Sequence, residues 1–212
     1  MKVLLVNGSP HKEGCTNRAL IEIKNTLLKE GIEADIFWIG NKPISGCIAC
    51  MSCLDANKTF GKCAIDDVVN EFNKISGNYD GYIFGCPVHY GSAPGMFTSF
   101  LDRVFYSNRY KEKYILKPAA CIVLARRGGT TATFDQINKY FTINQMPIVS
   151  SKYWNNVHGN NPLEVEKDEE GLQCMRTLAN NMAYILKAFE IAENNGLEKP
   201  KLEQPLRTNF IK

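Results

Sequence analysis

Lys2-Val3-Leu4-Leu5-Val6-Asn7 runs straight into Gly8-Ser9-Pro10-His11-Lys12-Glu13-Gly14-Cys15-Thr16-Asn17. A helical pattern follows, with Ala19, Leu20, Ile23, Leu27 and Leu28 on one side. The first six residues are a short apolar run of the kind that fits a buried parallel strand. Strand, Gly/Ser/Thr-rich loop, helix is an arrangement that builds an anion site. Backbone N–H groups and hydroxyls converge where the helix macrodipole is positive, and a phosphate can sit there. The loop has neither the Gly-Lys-Ser/Thr of a P-loop nor the G-x-G-x-x-G of a dinucleotide fold. It has the form of a phosphomonoester loop, which points to a mononucleotide such as FMN. The competing reading is that Gly8 and Pro10 only make a tight strand-to-helix turn.

Apolar runs alternate with helical patterns along the rest of the chain. Ala34 to Ile39 reads as the second strand. A polar, cysteine-rich stretch occupies Gly40 to Asp66. Asp67 to Ile75 reads as a helix with acidic residues at its dipole-positive end. Tyr82-Ile83-Phe84-Gly85 reads as strand three, and Pro94 to Tyr106 as a helix opening at or beside proline. Ala119 to Ala125 is the fourth strand and Thr130 to Phe141 the next helix. Pro147 to Ser151 reads as a short fifth strand. Glu169 to Asn194 places Leu172, Met175, Leu178, Met182, Ile185, Leu186 and Phe189 at spacings of three and four, which makes a long closing helix. One α/β domain over 1–195 and a polar extension over 196–212 are expected.

Five strands separated by helices predict a doubly wound five-stranded parallel sheet with helices on both faces. Ligands of such sheets sit outside the carboxyl ends of the strands, at a switch point. The loops there should carry site chemistry. After strand three comes Gly85-Cys86-Pro87-Val88-His89-Tyr90-Gly91-Ser92-Ala93-Pro94-Gly95, a constrained backbone that can approach a ligand closely. After strand four comes Arg126-Arg127-Gly128-Gly129-Thr130, whose arginines offer donors to an electron-rich ring edge. Each loop alone could be an ordinary surface turn. Three of them at three strand ends of one sheet make a ligand edge.

The composition excludes other classes. With 44% hydrophobic and 22% charged residues the chain reads as an ordinary globular domain of 212 residues. A net charge of +3 gives no case for nucleic acid or a membrane surface. The mixed basic and aromatic stretch Tyr106 to Tyr114 reads as a solvated linker. The amino-terminal apolar run is too short for a signal peptide, so a cytoplasmic protein is expected. Its eight cysteines then read as thiols or metal ligands rather than disulfides.

Gly8-Ser9-Pro10, Gly14 and Thr16, and Pro87-Val88-His89-Tyr90-Gly91 leading into Phe100-Leu101-Asp102-Arg103, resemble the NADPH-dependent FMN reductase group of flavodoxin-like proteins. The resemblance covers roughly residues 1–190. It implies that Ser9, His11, Thr16 and Asn17 hold the FMN phosphate. It implies that Pro87, Val88, His89, Tyr90, Gly91 and Ser92 run along the isoalloxazine ring. Arg127, Gly128 and Gly129 are implied to face the pyrimidine edge. The family usually has Arg after the Ser-Pro and Asn before the Thr, where this chain has His11 and Cys15. The resemblance also implies a homo-oligomer, dimer or tetramer. Met96, Phe97 and Phe100 are candidates for that contact, although such residues more often lie in a core.

Within that group, Cys47-x2-Cys50-x2-Cys53-x9-Cys63 resembles the cysteine spacing of iron-sulfur flavoproteins. Three compactly spaced thiolates and a fourth can hold a 4Fe-4S cluster; four thiolates also suit zinc, and uncommitted thiols are the third possibility. Following strand two, the segment is expected near the flavin edge. Cys15, Cys86, Cys121 and Cys174 read as buried small hydrophobes. Tyr153-Trp154-Asn155-Asn156-Val157-His158-Gly159 reads as an aromatic loop after strand five, with Trp154 as a lid on the ligand or, alternatively, a cap on the core.

Three functions remain in play. One is an FMN-dependent oxidoreductase with NAD(P)H as co-substrate and a flavin, quinone or other small-molecule acceptor. Another is an electron-transfer module pairing FMN with a cluster and taking electrons from ferredoxin. The third, a non-redox phosphate-ligand domain, is disfavoured as a response regulator because Asn7-Gly8-Ser9 lacks acidic residues. The flavin supplies the redox chemistry, so no acid–base triad is required, and the sequence displays none.

Overall fold

The computed structural model describes residues 1–203, 206 and 208–210. Five parallel strands form one sheet in the order β2-β1-β3-β4-β5. They are β1 (Lys2–Asn7), β2 (Glu33–Trp38), β3 (Gly81–Pro87), β4 (Ala119–Ala125) and β5 (Asn156–His158). Six helices connect and close it: α1 (Cys15–Lys29), α2 (Val68–Ile75), α3 (Gly95–Ser107), α4 (Thr130–Ile143), α5 (Pro162–Val165) and α6 (Glu169–Asn194). This is the doubly wound α/β fold expected from the alternation.

The central strands are buried on both faces, which explains their continuous apolar runs. In β1, Val3 and Leu5 join one core with Leu20, Ile23 and Leu27 of α1 and Met175, Leu178 and Met182 of α6. Leu4 and Val6 face the other core, with Phe72 of α2, Phe97, Phe100 and Val104 of α3, and Ile137 and Phe141 of α4. Ile83 against Tyr82 and Phe84, and Ile122 against Cys121, divide in the same way. Phe97 and Phe100 are therefore core residues with no exposure, and Met96 packs against the same cluster. Phe97 and Phe100 are thereby unavailable for an oligomer contact, while Met96 is only partly buried.

The fifth strand departs from the sequence reading. Ile148 makes only an isolated bridge to Ala119, through Ala119 N–H to Pro147 O and Val149 N–H to Ala119 O, both 2.8 Å. The chain then turns away at Ser151 to Tyr153 and returns as Asn156–His158 beside Val123 to Ala125. The buried Asn155 side chain donates to the Cys121 carbonyl at 2.9 Å, filling the gap between the two pairings. Trp154 thus precedes β5 instead of following it. It is half-exposed and packs against Tyr153 at 4.6 Å between ring centroids.

Among the described residues, no helix is long and apolar enough to cross a membrane.

Candidate functional site

The loop after β1 is shaped by Asn7, which has no exposure. Its Oδ1 accepts from the Ser9 N–H at 3.0 Å, and its Nδ2 donates to the Lys12 carbonyl at 3.1 Å. The His11 N–H donates to Ser9 Oγ at 3.1 Å, and Trp38 Nε1 donates to the Ser9 carbonyl at 2.8 Å. Asn7 and Trp38 were not singled out by sequence reasoning. An amide at a strand end and an indole on the neighbouring strand were the available signals.

Helix α1 starts on Gly14, which supplies no side-chain cap, and no acidic residue occupies its first turn. The first-turn N–H groups therefore lack the side-chain acceptor that most helix starts provide. Thr16 is 1% exposed, and among the described residues its hydroxyl has no hydrogen-bond partner. A polar cradle of this kind suits an anion at the dipole-positive end.

The second loop is tied to the first and third by backbone. Gly8 N–H donates to Gly85 O at 2.7 Å, and Val88 N–H to Leu124 O at 2.8 Å. His89 and Ser92 exchange N–H···O bonds of 2.9 and 3.2 Å around a tight tip. Tyr90 at that tip is fully exposed and adopts a left-handed φ of 57°. The third loop meets it at Gly129, with φ +93°. A Cβ there would lie 2.7 Å from Val88 Cγ1 and 2.8 Å from Gly91 Cα. Only glycine lets these two loops touch.

Together the loops wall a cleft of about 810 Å³ at the carboxyl edge of the sheet, within the size range of small-ligand pockets. Of the expected site residues, Ser9, His11, Thr16, Pro87, Val88 and His89 line it. Asn17 in the first turn of α1, and Tyr90, Gly91, Ser92, Arg127, Gly128 and Gly129 in the other two loops, stand outside its lining. Trp154, which precedes β5, is not among its lining residues. Arg126 rather than Arg127 reaches the cleft. Cys15, half-buried and not the fully buried hydrophobe expected, also lines it, as do Lys12, Asn41 and the Gly159-Asn160-Asn161-Pro162 turn after β5. Burial pushes the Cys15 thiol up from its ordinary pKa. Cys86, Cys121 and Cys174 are buried as expected.

Cys47, Cys50, Cys53 and Cys63 do converge. All four line one small cavity of about 20 Å³, with Arg103, Tyr106 and Ser107 of α3 behind them. They are free thiols. Burial raises the Cys53 thiol, helped by neighbouring Cys63, Cys47 and Cys50, whereas the Ser52 N–H and hydroxyl lower that of Cys50. Among the described residues, no three His, Cys, Asp or Glu side chains are placed to hold a single metal ion. The donor set nevertheless fits an iron-sulfur cluster: four thiols facing one cavity, with a guanidinium beside them. Their cavity and the cleft share no lining residue. Arg103 lies eight residues along α3 from Gly95, about 12 Å by the rise of a helix.

A flavodoxin-like sheet with a phosphate-type loop and two constrained loops at its carboxyl edge defines a flavin-binding α/β protein. The sequence matches the family model for NADPH-dependent FMN reductase over residues 1–161, and the chain belongs to that family. It is 31% identical over 200 residues to an iron-sulfur flavoprotein of Methanocaldococcus jannaschii, covering 90% of this chain and 100% of that one. The flavodoxin, WrbA-like protein from Agrobacterium tumefaciens superposes with a TM-score of 0.61 at 14% identity, covering 88% of this chain and 98% of the other. RosB, solved with bound 8-demethyl-8-formylriboflavin-5'-phosphate, superposes with a TM-score of 0.66 at 11% identity, covering 100% and 94%. Membership of this family makes the protein a flavin-dependent oxidoreductase.

Proposed function

We propose that the chain binds FMN in the cleft, takes hydride from NAD(P)H and passes the electrons to a small-molecule acceptor such as a flavin or quinone. The observation that carries this reading is the uncapped start of α1 beside the partnerless Thr16 hydroxyl, opening into a cleft of flavin size. Ser9, His11, Thr16 and Asn17 would hold the phosphate. Pro87 to Ser92 would run along the ring, and the Arg126 to Gly129 loop would meet its pyrimidine edge. FMN held by these residues would supply the redox chemistry, the uptake of hydride and the release of electrons to the acceptor. The protein's share is to fix the ring, keep its phosphate paired and leave one face open. The bare Tyr90 ring beside the cleft supports a site completed by a second copy, in a homodimer or homotetramer.

A second reading rests on the four cysteines. A 4Fe-4S cluster held by Cys47, Cys50, Cys53 and Cys63 would make the chain an electron-transfer module served by a ferredoxin. The iron-sulfur name of the Methanocaldococcus jannaschii relative supports it.

An anaerobic visible spectrum with iron and sulfide analysis, followed by rapid mixing, separates the two. Bleaching of the flavin bands by NADH or NADPH, without iron, supports the reductase. About four irons per chain, with bleaching by reduced ferredoxin alone, supports the module. A chain that stays colourless after incubation with FMN refutes both.

A further inference from the structure

Arg103 is buried, with 1% exposure, and all five of its N–H donors are used. Nε donates to Cys63 Sγ at 3.2 Å. One terminal nitrogen donates to the Ser45 carbonyl at 3.2 Å and to Asp67 Oδ2 at 2.6 Å. The other donates to the Ile65 carbonyl at 2.8 Å and to Asp67 Oδ1 at 2.9 Å. These acceptors bracket the cysteine segment. Ser45 stands two residues before Cys47, and Cys63, Ile65 and Asp67 close its far end.

Between those anchors the chain is mostly irregular, with one 3-10 turn at Ser52–Leu54. Ala49 and Met51, flanking Cys50, both hold left-handed φ values of 52° and 60°. Such conformations persist only where the surroundings enforce them. An ion pair with Asp67 would need only two of the guanidinium donors. A neutral thiol is a weak acceptor. A guanidinium N–H directed at Cys63 Sγ gains most when that sulfur carries negative charge, as a metal-bound thiolate does.

Resting on the cluster reading above, we propose that Arg103 is the positioning residue of the four-cysteine site. It pins both ends of the segment to α3 before metal arrives, and its bond to Cys63 Sγ raises the reduction potential of the bound cluster. Hydrogen bonds to ligand sulfurs and nearby positive charge both stabilise the reduced, more negative form. Removing Arg103 also leaves the Asp67 carboxylate uncompensated, which moves the potential in the same negative direction.

The test uses the full chain, carrying FMN, as wild type, Arg103→Met and Arg103→Lys, each reconstituted anaerobically with ferrous iron and sulfide. Three quantities are read: iron retained under chelator challenge, the cluster's reduction potential, and amide exchange across residues 45–67 in metal-free protein. Arg103→Met should retain the cluster roughly tenfold or more less tightly, with a more negative potential and faster exchange in that segment. Its FMN content should stay at one per chain. Arg103→Lys keeps the charge but not the fork, so it should recover much of the potential and little of the exchange protection. It also serves as the readable variant if Arg103→Met does not fold. Wild-type iron retention, potential and exchange in the variants overturn the proposal. A wild-type chain that takes up no iron overturns the cluster reading and the potential with it. In that case, faster exchange in the variants supports the positioning role and unchanged exchange overturns it.

Discussion

Replacing Thr16 by valine separates the phosphate site from the fold that carries it. Thr16 is second in α1, 1% exposed, and its methyl lies 3.0 Å from where a Cβ on Gly85 would stand. Valine keeps that shape and has nearly the helix propensity of threonine. Since the hydroxyl has no partner among the described residues, no internal bond is lost, and stability should change by less than about 0.5 kcal/mol. A hydroxyl bonded to a phosphate dianion is worth about 1.5–3 kcal/mol. FMN affinity should therefore fall roughly 10- to 150-fold. Fluorescence titration of apoprotein measures it, and riboflavin, which lacks the phosphate, is the control. Riboflavin should bind valine and threonine chains alike. Unchanged FMN affinity, or an equal loss for riboflavin, refutes the phosphate role.

Gly129→Ala should destabilise the chain by about 2–4 kcal/mol, from the left-handed backbone and the collision with Val88 and Gly91. Thermal unfolding should show a fall of roughly 5–15 °C in Tm, with weakened FMN binding. Glu22 accepts from Arg176 of α6 at 2.7 Å across the α1–α6 contact and from Arg18, one turn back on α1, at 3.1 Å. Its burial raises the carboxyl pKa, but the two arginines outweigh this and leave it lowered. A lowered folded pKa gives stability that is complete above the ordinary value near 4.5 and lost as the pH falls through the folded value. Glu22→Gln should cost about 1 kcal/mol at neutral pH and flatten the acid limb of a urea-midpoint profile. An unchanged acid limb would rule the network out as a source of acid lability.

The sheet was legible because its residues have little freedom to do otherwise. Strands β1, β3 and β4 are buried on both faces, so runs such as Ala119 to Ala125 are apolar throughout and their limits stand out. Helix α6 matches its sequence reading at both ends, since Asp168 caps its start by accepting from Gly171 N–H. β5 was misplaced for the opposite reason. It is three residues long at the sheet's edge, and Pro147 to Ser151 looks more strand-like than Asn156–His158. What decides between them is the side chain of Asn155, taking a carbonyl on β4. No local pattern encodes that bond.

The same distinction governs the site. Ser9, Thr16, Pro87, Val88 and His89 were legible because topology alone carries strand-end loops to one edge. Cys47, Cys50, Cys53 and Cys63 were legible as a group, since their spacing restricts where they can go. What anchors them was not, because a long segment leaving β2 settles wherever its anchors hold it. Those anchors are supplied from a distant helix. Arg103 lies 36 residues beyond Asp67 in the chain and 58 beyond Ser45. In sequence it closes the Phe100-Leu101-Asp102-Arg103 stretch that carries the family resemblance, and nothing there ties it to the cysteines. Its burial brands it as an anchor, because a buried guanidinium is tolerable only when every donor is met. The cysteine segment packs along α3 because the residue that anchors both its ends lies there.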